Sequence, residues 1–147
     1  MTETKVTTPI TNPLLWTSFL GAEVTTWAFK YGIDRARPDF LQGITEANPS
    51  FPSGHATAAT VVIGFIGFII ARELSIRSFR IEVGIWSATI IAAICLSRLF
   101  LSLHYLSDVI CGFLVGSFWL PIGVAFVQRK SPANGDVLVG ASHRREY

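Results

Sequence analysis

Charged residues are scarce in this chain, and their scarcity excludes an ordinary water-soluble globular protein. Only 15% of the 147 residues are Asp, Glu, Lys or Arg, whereas soluble domains carry about 25%. By contrast, 50% of the residues are hydrophobic, and the mean hydropathy is +0.48. The net charge of +2 is too small for a nucleic-acid-binding surface. The composition therefore predicts an integral membrane protein with no nucleic-acid partner.

The chain also has few cysteines, and it lacks internal repeats and low-complexity tracts. Cys95 and Cys111 both lie inside apolar runs, where cysteine acts as a small packing residue, so neither a disulfide nor a metal site is predicted. Residues 1–13 are polar and show neither a basic segment nor a cleavage site, so no secretory signal is predicted. Residues 128–147 are polar and predict a flexible tail. The whole chain, 1–147, is predicted to form one domain.

Four apolar segments approach the roughly 20 residues that a helix needs to cross a membrane. They lie near residues 14–29, 54–71, 82–97 and 106–127. The first is short and is interrupted by Glu23. The fourth carries Gly112 and Gly116 at the spacing that lets helices approach closely, and Pro121, which predicts a kink. The predicted fold is an all-α membrane bundle of about four transmembrane helices.

The distribution of cations predicts the orientation of this bundle. With four spans, both termini and residues 72–80 lie on one face, and this face carries most of the Lys and Arg residues. They are Lys5, Arg72, Arg77, Arg80, Arg129, Lys130, Arg144 and Arg145. The opposite face carries Lys30, Arg35, Arg37 and Arg98. The cation-rich face is predicted to be cytoplasmic, which places both termini inside the cell and the other face outside the plasma membrane.

A first motif follows the first apolar segment. Lys30 is separated by six residues from Arg37, which precedes Pro38. A phosphate is well held by a point charge together with a planar fork that grips two oxygens, and Lys and Arg supply these two elements. The alternative is that both side chains only extend to the membrane interface, as cations at helix ends often do.

A second motif, Pro52-Ser53-Gly54-His55, directly precedes the second apolar segment. Ser53 is a favourable helix N-cap, and the free amides at Gly54 attract anions. His55 then lies in the first helical turn, beside the same anion. A capping serine followed by an incidental histidine would explain this motif equally well.

The third motif comprises Ser97, Arg98, His104 and Asp108. His104 and Asp108 are four residues apart, so both lie on one face at the start of a helix, and the carboxylate can accept a hydrogen bond from one imidazole nitrogen. The other nitrogen then carries a lone pair and can act as a nucleophile. Arg98 can reach back over the connecting loop. The alternative is a His-Asp pair that only caps the fourth helix.

Together, the three motifs resemble those of the type 2 phosphatidic acid phosphatase superfamily, membrane lipid phosphatases that share a catalytic core with vanadium haloperoxidases. The family pattern is Lys-x6-Arg-Pro, Pro-Ser-Gly-His and Ser-Arg-x5-His-x3-Asp, and every position is filled between Lys30 and Asp108. The family fold has six membrane helices, and this chain has only the last four, to which the motifs attach. The haloperoxidase function is disfavoured because those enzymes are soluble.

The resemblance implies a two-step phosphoryl transfer. His104 would attack phosphorus and form a phosphohistidine, Asp108 would orient His104, and His55 would protonate the leaving group and then activate water. The implied phosphate-binding residues are Lys30, Arg37, Ser53, Gly54 and Arg98. Neither a metal nor another cofactor is implied.

The expected function is hydrolysis of a lipid phosphate or diphosphate, with release of inorganic phosphate. A lipid phosphotransferase with the same site is one alternative. Another is a catalytically impaired fragment that acts as a membrane anion-binding scaffold. The sequence does not choose among undecaprenyl diphosphate, phosphatidylglycerol phosphate, phosphatidate and lipid A phosphates. Besides the substrate and membrane lipids, a second copy of the chain or separate partner helices remain open as partners.

Overall fold

The computed structural model describes residues 13–38 and 48–129, and all regular structure in these ranges is α-helical. The four helices are α1 (Pro13–Ile33), α2 (Gly54–Glu73), α3 (Arg77–Phe100) and α4 (Leu106–Arg129). This arrangement confirms the predicted all-α membrane bundle. The predicted flexible tail falls on residues 128–147, of which residues 130–147 lie outside the described residues.

Three of these helices are long and apolar enough to cross a membrane: α2, α3 and the Leu106–Ala125 part of α4. The chain is thus an integral membrane protein. Helix α1 is 21 residues long but does not meet the same criterion, because Glu23 and Lys30 lower its hydropathy. Its crossing of the membrane remains a prediction.

The helices extend beyond the apolar segments from which they were predicted. Helix α1 continues to Ile33, and α3 begins at Arg77 rather than near residue 82. Hydropathy marks only the part of a helix that lies in hydrocarbon, whereas the backbone hydrogen bonds continue into the interface, where charged side chains are solvated. Helix α4 runs through Pro121 without ending, and the predicted kink there remains a prediction.

Helix α2 lies at the centre of the bundle and packs against the other three helices. The contact between α2 and α4 depends on small residues, as the sequence predicts. Gly112 lies against the Ser53 carbonyl, and Gly116 lies against Thr60, so that neither glycine has room for a β-carbon. In lipid there is no hydrophobic driving force between helices, so van der Waals contact between closely approaching backbones stabilises their association instead.

Threonine hydroxyls link the helices inside this contact. The Thr57 hydroxyl lies 3.1 Å from the Gly112 carbonyl oxygen and 3.2 Å from that of Ser53, and the Thr26 hydroxyl lies 3.3 Å from that of Thr57. The Trp119 indole N–H donates to the Thr25 hydroxyl at 3.1 Å. These contacts satisfy polar groups that lipid cannot hydrate, and they connect α1, α2 and α4.

Helix α3 differs from its neighbours because none of its residues is buried. Its contacts are mainly with α2 and only weakly with α4. Large apolar side chains such as Ile85, Trp86 and Ile90 point away from the bundle. Helix α3 is therefore peripheral in the part of the chain that the structure describes, and it carries the predicted site residue Arg98 in its last turn.

Candidate active site

A cavity of about 280 Å³ opens at the end of the bundle where α1 ends and α2 and α4 begin. It is lined by Glu23, Thr26, Trp27, Lys30, Arg37, Asn48, Gly54, His55, Ala58 and His104. Five of these were predicted as site residues: Lys30, Arg37, Gly54, His55 and His104. The fold thus gathers parts of all three motifs around one space.

The two cations of the first motif are held by backbone carbonyls. The Lys30 residue is only 7% exposed, and its ammonium donates to the Pro49 carbonyl at 2.5 Å. The Arg37 guanidinium donates to the carbonyls of Asn48 at 2.9 Å and Leu103 at 3.0 Å. A side chain that only extends to the interface would be exposed, so the burial of Lys30 disfavours that interpretation.

The second motif places its residues at different depths. Gly54 and His55 line the cavity, and His55 is exposed. Ser53 occupies the predicted N-cap position of α2, but its hydroxyl makes no cap hydrogen bond. It is fully buried, and this hydroxyl finds no partner among the described residues. Its backbone N–H donates to the Asp108 carbonyl at 2.9 Å, which draws the start of α2 towards α4.

His104 and Asp108 lie side by side in the protein interior, 6% and 0% exposed. Their closest atoms, Nδ1 of His104 and Oδ2 of Asp108, are 3.5 Å apart, which is longer than the predicted hydrogen bond. Nδ1 of His104 has no hydrogen-bond partner among the described residues, and Oδ2 accepts the Tyr105 backbone N–H at 2.9 Å. Asp108 is the third residue of α4, and this bond is the backward half of a capping box.

Three predicted site residues do not line the cavity, namely Ser53, Asp108 and Arg98. Asp108 lies beside the lining residue His104, and Ser53 directly precedes the lining residue Gly54, whereas Arg98 lies in the last turn of α3. Its Nε donates to the Ser97 hydroxyl at 3.3 Å. The spacing of the third motif predicted that it could reach over the loop, but it could not reveal that α3 is peripheral.

Arg35 was not predicted as a site residue, yet it contacts the carboxylate behind His104. Its Nη1 lies 3.0 Å from Oδ1 of Asp108 and 2.7 Å from the Ser107 hydroxyl. The charge count already marked it as the one cation of the opposite face that lay outside the three motifs. Glu23 and Trp27 were also missed, although they share the helical face of Lys30 at intervals of seven and three residues.

The surroundings of His104 lower the pKa of its imidazole below the ordinary value of 6.5. Burial is the main cause, because it disfavours the charged ring, and the positive charges of Arg37 and Lys30 act in the same direction. Asp108 and the Ser50 backbone oppose this shift. The ring is therefore neutral near pH 7, which is the form that has a free lone pair.

Comparisons with known proteins identify the family of this chain. A sequence profile of the PAP2 superfamily matches residues 13–132. Phosphatidylglycerophosphatase B of Bacillus subtilis (strain 168) is 35% identical over 88 residues, which are 59% of this chain and 43% of the relative. The chain thus spans less than half the length of this curated relative.

A solved structure is also similar, the crystal structure of a transmembrane PAP2-type phosphatidylglycerolphosphate phosphatase from Bacillus subtilis. It matches with a TM-score of 0.75 and 27% identity, over 82% of this chain and 61% of that chain. The similarity in fold agrees with the sequence profile, which covers most of the chain and includes all three motifs. The chain therefore belongs to the PAP2 superfamily, as the order and spacing of its motifs predict.

Proposed function

We propose that this chain hydrolyses a lipid phosphate or diphosphate and releases inorganic phosphate through a phosphohistidine on His104. The observation that carries the proposal is the cavity in which Lys30, Arg37, His55 and His104 meet. Two cations, one exposed histidine and one buried, neutral histidine are the groups that phosphoryl transfer to nitrogen requires. The curated relative and the solved structure, both named as phosphatases of phosphatidylglycerol phosphate, support hydrolysis of a lipid phosphate.

In the first step, a lone pair of the His104 imidazole forms a bond to phosphorus. The bond from phosphorus to the leaving oxygen breaks, the oxygen keeps the electron pair, and His55 supplies its proton. The ring of His104 becomes positive, and Asp108, 3.5 Å from Nδ1, stabilises this charge. Lys30 and Arg37 neutralise the negative charge on the phosphoryl oxygens.

In the second step, water replaces the histidine. His55 accepts a proton from a water molecule, whose oxygen forms a bond to phosphorus while the bond from phosphorus to His104 breaks. The electron pair of that bond returns to the imidazole, and inorganic phosphate leaves. Because His55 is exposed at the cavity, water can reach it, and this access favours hydrolysis over transfer to another acceptor.

The start of α2 would supply further donors to the phosphate. The Gly54 amide lies at the helix N-terminus, where backbone N–H groups attract anions. The buried Ser53 hydroxyl has no partner among the described residues and could donate to a phosphoryl oxygen that enters deeply. Arg98 would take part only if its guanidinium left Ser97 when the substrate binds.

Metal independence is part of the proposal. Within residues 13–38 and 48–129, no group of three or more His, Cys, Asp or Glu side chains is arranged to hold a metal ion. Lys30 and Arg37 would instead provide the positive charge that a metal often provides in phosphoryl transfer. Activity is therefore expected to survive EDTA and to be inhibited by vanadate, whose trigonal bipyramid resembles the transition state.

The experiment that tests the function is phosphate release by the purified protein in detergent. The panel contains phosphatidylglycerol phosphate, phosphatidate, undecaprenyl diphosphate and a lipid A phosphate, and His104→Ala is the matched control. Release from at least one lipid by the wild type alone supports the proposal. Vanadate binding without release from any lipid would favour an anion-binding scaffold instead. Transfer of labelled phosphate to an added alcohol, with little free phosphate, would favour a phosphotransferase.

The orientation is a separate part of the proposal, with the cavity on the extracytoplasmic face and both termini in the cytoplasm. Its support is the cluster of exposed cations at the other end, which includes Arg72, Arg77 and Arg80. In a background without Cys95 and Cys111, Leu101→Cys should react with an impermeant thiol reagent in intact cells. Ser78→Cys should react only after the cells are opened. The reverse pattern would place the cavity in the cytoplasm.

A further inference from the structure

Arg35 makes three side-chain contacts at the start of α4. Its Nη1 donates to Oδ1 of Asp108 at 3.0 Å and to the Ser107 hydroxyl at 2.7 Å. Its Cζ lies 4.2 Å from the centroid of the Tyr105 ring, which is a cation–π distance. The Arg35 side chain is 37% exposed, whereas that of Asp108 is fully buried. A partly exposed cation thus holds a buried carboxylate in place.

The contacts of Asp108 divide between its two oxygens. Oδ1 is occupied by Arg35, and Oδ2 accepts the Tyr105 N–H at 2.9 Å and faces Nδ1 of His104 at 3.5 Å. Each carboxylate oxygen is thus held by a different group, Oδ1 by the Arg35 guanidinium and Oδ2 by the Tyr105 N–H. Rotation about the Asp108 side chain is therefore restricted, and Oδ2 stays directed at His104.

The backbone around Arg35 is hydrogen-bonded to Ser50, shortly before the second motif. The chain leaves α1 through Asp34, whose φ of 46° turns the backbone away from the helix. The Arg35 carbonyl then accepts the Ser50 N–H at 2.8 Å, and the Ala36 carbonyl accepts the Ser50 hydroxyl at 3.1 Å. Ser50 precedes the second motif and lies beside His104. Arg35 thus contacts Ser50, two residues before the second motif, through its backbone, and Asp108 of the third motif through its side chain.

We infer that Arg35 is a positioning residue, which fixes the Asp108 carboxylate behind His104 and limits how much of its negative charge acts on that ring. The inference deepens the proposed function, on which it rests. An arginine suits this role because its planar fork can contact Ser107 and Asp108 and stack on Tyr105 at the same time, whereas a lysine would offer only a point charge.

The direction of the electrostatic effect follows from the charges around His104. In the described residues, the titratable and charged groups that line the cavity with His104 or pair with Asp108 are Glu23, Lys30, Arg35, Arg37, His55 and Asp108 itself. Asp108 favours the protonated ring of His104, and the ion pair with Arg35 partly neutralises Asp108. Removal of the Arg35 charge would therefore make His104 easier to protonate. Loss of packing alone would not change protonation in a defined direction.

The test compares Arg35→Gln and Arg35→Lys with a control variant, Arg80→Gln. Arg80 is an exposed arginine at the other end of the bundle. The chain has only three histidines, so the His104 ring can be titrated by NMR of histidine-labelled protein in detergent and assigned with His104→Ala. We expect Arg35→Gln to move the His104 titration to higher pH, and Arg35→Lys and Arg80→Gln to leave it in place. Turnover should fall about 10- to 100-fold in Arg35→Gln and less in Arg35→Lys, and it should not change in Arg80→Gln.

An unchanged His104 titration in Arg35→Gln would overturn the inference, as would equal losses of turnover in the Gln and Lys variants. Because the titration needs no substrate, it separates this inference from the proposed function. If the His104 titration shifts in Arg35→Gln but the wild type releases no phosphate from any lipid, the positioning role of Arg35 stands and the proposed phosphatase function is wrong. If the wild type releases phosphate but the titration does not shift in Arg35→Gln, the phosphatase function stands and the positioning role is wrong.

Discussion

Both ends of the bundle carry charged residues, but the two ends differ in how deeply these side chains are buried. At the cavity end, Lys30 and Asp108 are buried and are held by Pro49 and Arg35. At the other end, around the connection between α2 and α3, the charged side chains are exposed to their surroundings. They are Arg72, Glu73, Arg77, Arg80 and Glu82.

We interpret this difference as a division between charges that serve the proposed chemistry and charges that serve the proposed orientation. Removing a charge from water is costly, so a buried and paired ion beside a membrane usually persists because it has a function. An exposed cation at the interface costs little and biases the topology. Substitutions at the two ends should therefore have very different effects.

The largest expected contrast is between His104→Ala and Arg80→Ala. The first removes the proposed nucleophile and should reduce kcat/KM by about 10⁴-fold or more. The second removes an exposed cation far from the cavity and should leave kcat/KM within about twofold, as distant surface substitutions usually do. Phosphate release by equal amounts of folded protein in detergent measures both. Comparable losses in the two variants would show that the two ends do not differ as proposed.

A smaller contrast is expected between Gly112→Ala and Gly84→Ala. A β-carbon at Gly112 would meet the Ser53 carbonyl, whereas at Gly84 nothing lies within 4 Å. The first substitution must push the start of α2 away from α4, at a cost of about 1–3 kcal/mol, and it should also lower turnover. The second should leave turnover unchanged and should not lower the unfolding temperature, because the space at Gly84 is open and alanine favours a helix over glycine. Thermal unfolding in detergent and kcat of the same samples test this, and equal unfolding temperatures would contradict the packing described for α2 and α4.

The smallest effect concerns pH. Because the pKa of His104 is lowered from 6.5, the ring stays neutral until the pH falls below that value. The His104 ring should therefore become protonated, and turnover should fall, only below pH 6.5. In Arg37→Gln, which removes the second-largest cause of the lowered pKa, the acid limb should move to higher pH. The measurement is the pH dependence of kcat/KM for the wild type and for Arg37→Gln. Both are measured with the same substrate, so that the ionisation of the substrate affects both profiles equally. An acid limb at the same pH in both would contradict it.

Much of this arrangement could be predicted from the sequence, because apolar length and motif spacing are local properties. The four helices follow from runs of hydrophobic residues, and the shared position of the motifs follows from the alternation of spans. The Gly112 and Gly116 contact was also predictable, since spacing by four places both residues on one helix face.

The remaining features depend on tertiary geometry that no local pattern contains. The pairing of Arg35 with Asp108 requires the backbone turn at Asp34 and brings together residues 73 positions apart. The position of Arg98 away from the cavity depends on how α3 lies in the bundle, mainly against α2 and hardly against α4. The 3.5 Å separation of His104 and Asp108 also depends on tertiary geometry, because spacing by four residues predicts that the two side chains are neighbours but does not set the distance between their atoms.

The central claim, that His104 is the nucleophile of the cavity end, is tested most directly by trapping the phosphoenzyme. Wild-type protein mixed with phosphorus-labelled lipid phosphate and quenched in milliseconds should carry an acid-labile label that maps to His104. His104→Ala should carry none, and His55→Ala should accumulate label when the substrate has a good leaving group. Equal labelling of the wild type and His104→Ala, or an acid-stable label on the Ser53 hydroxyl, would contradict the claim.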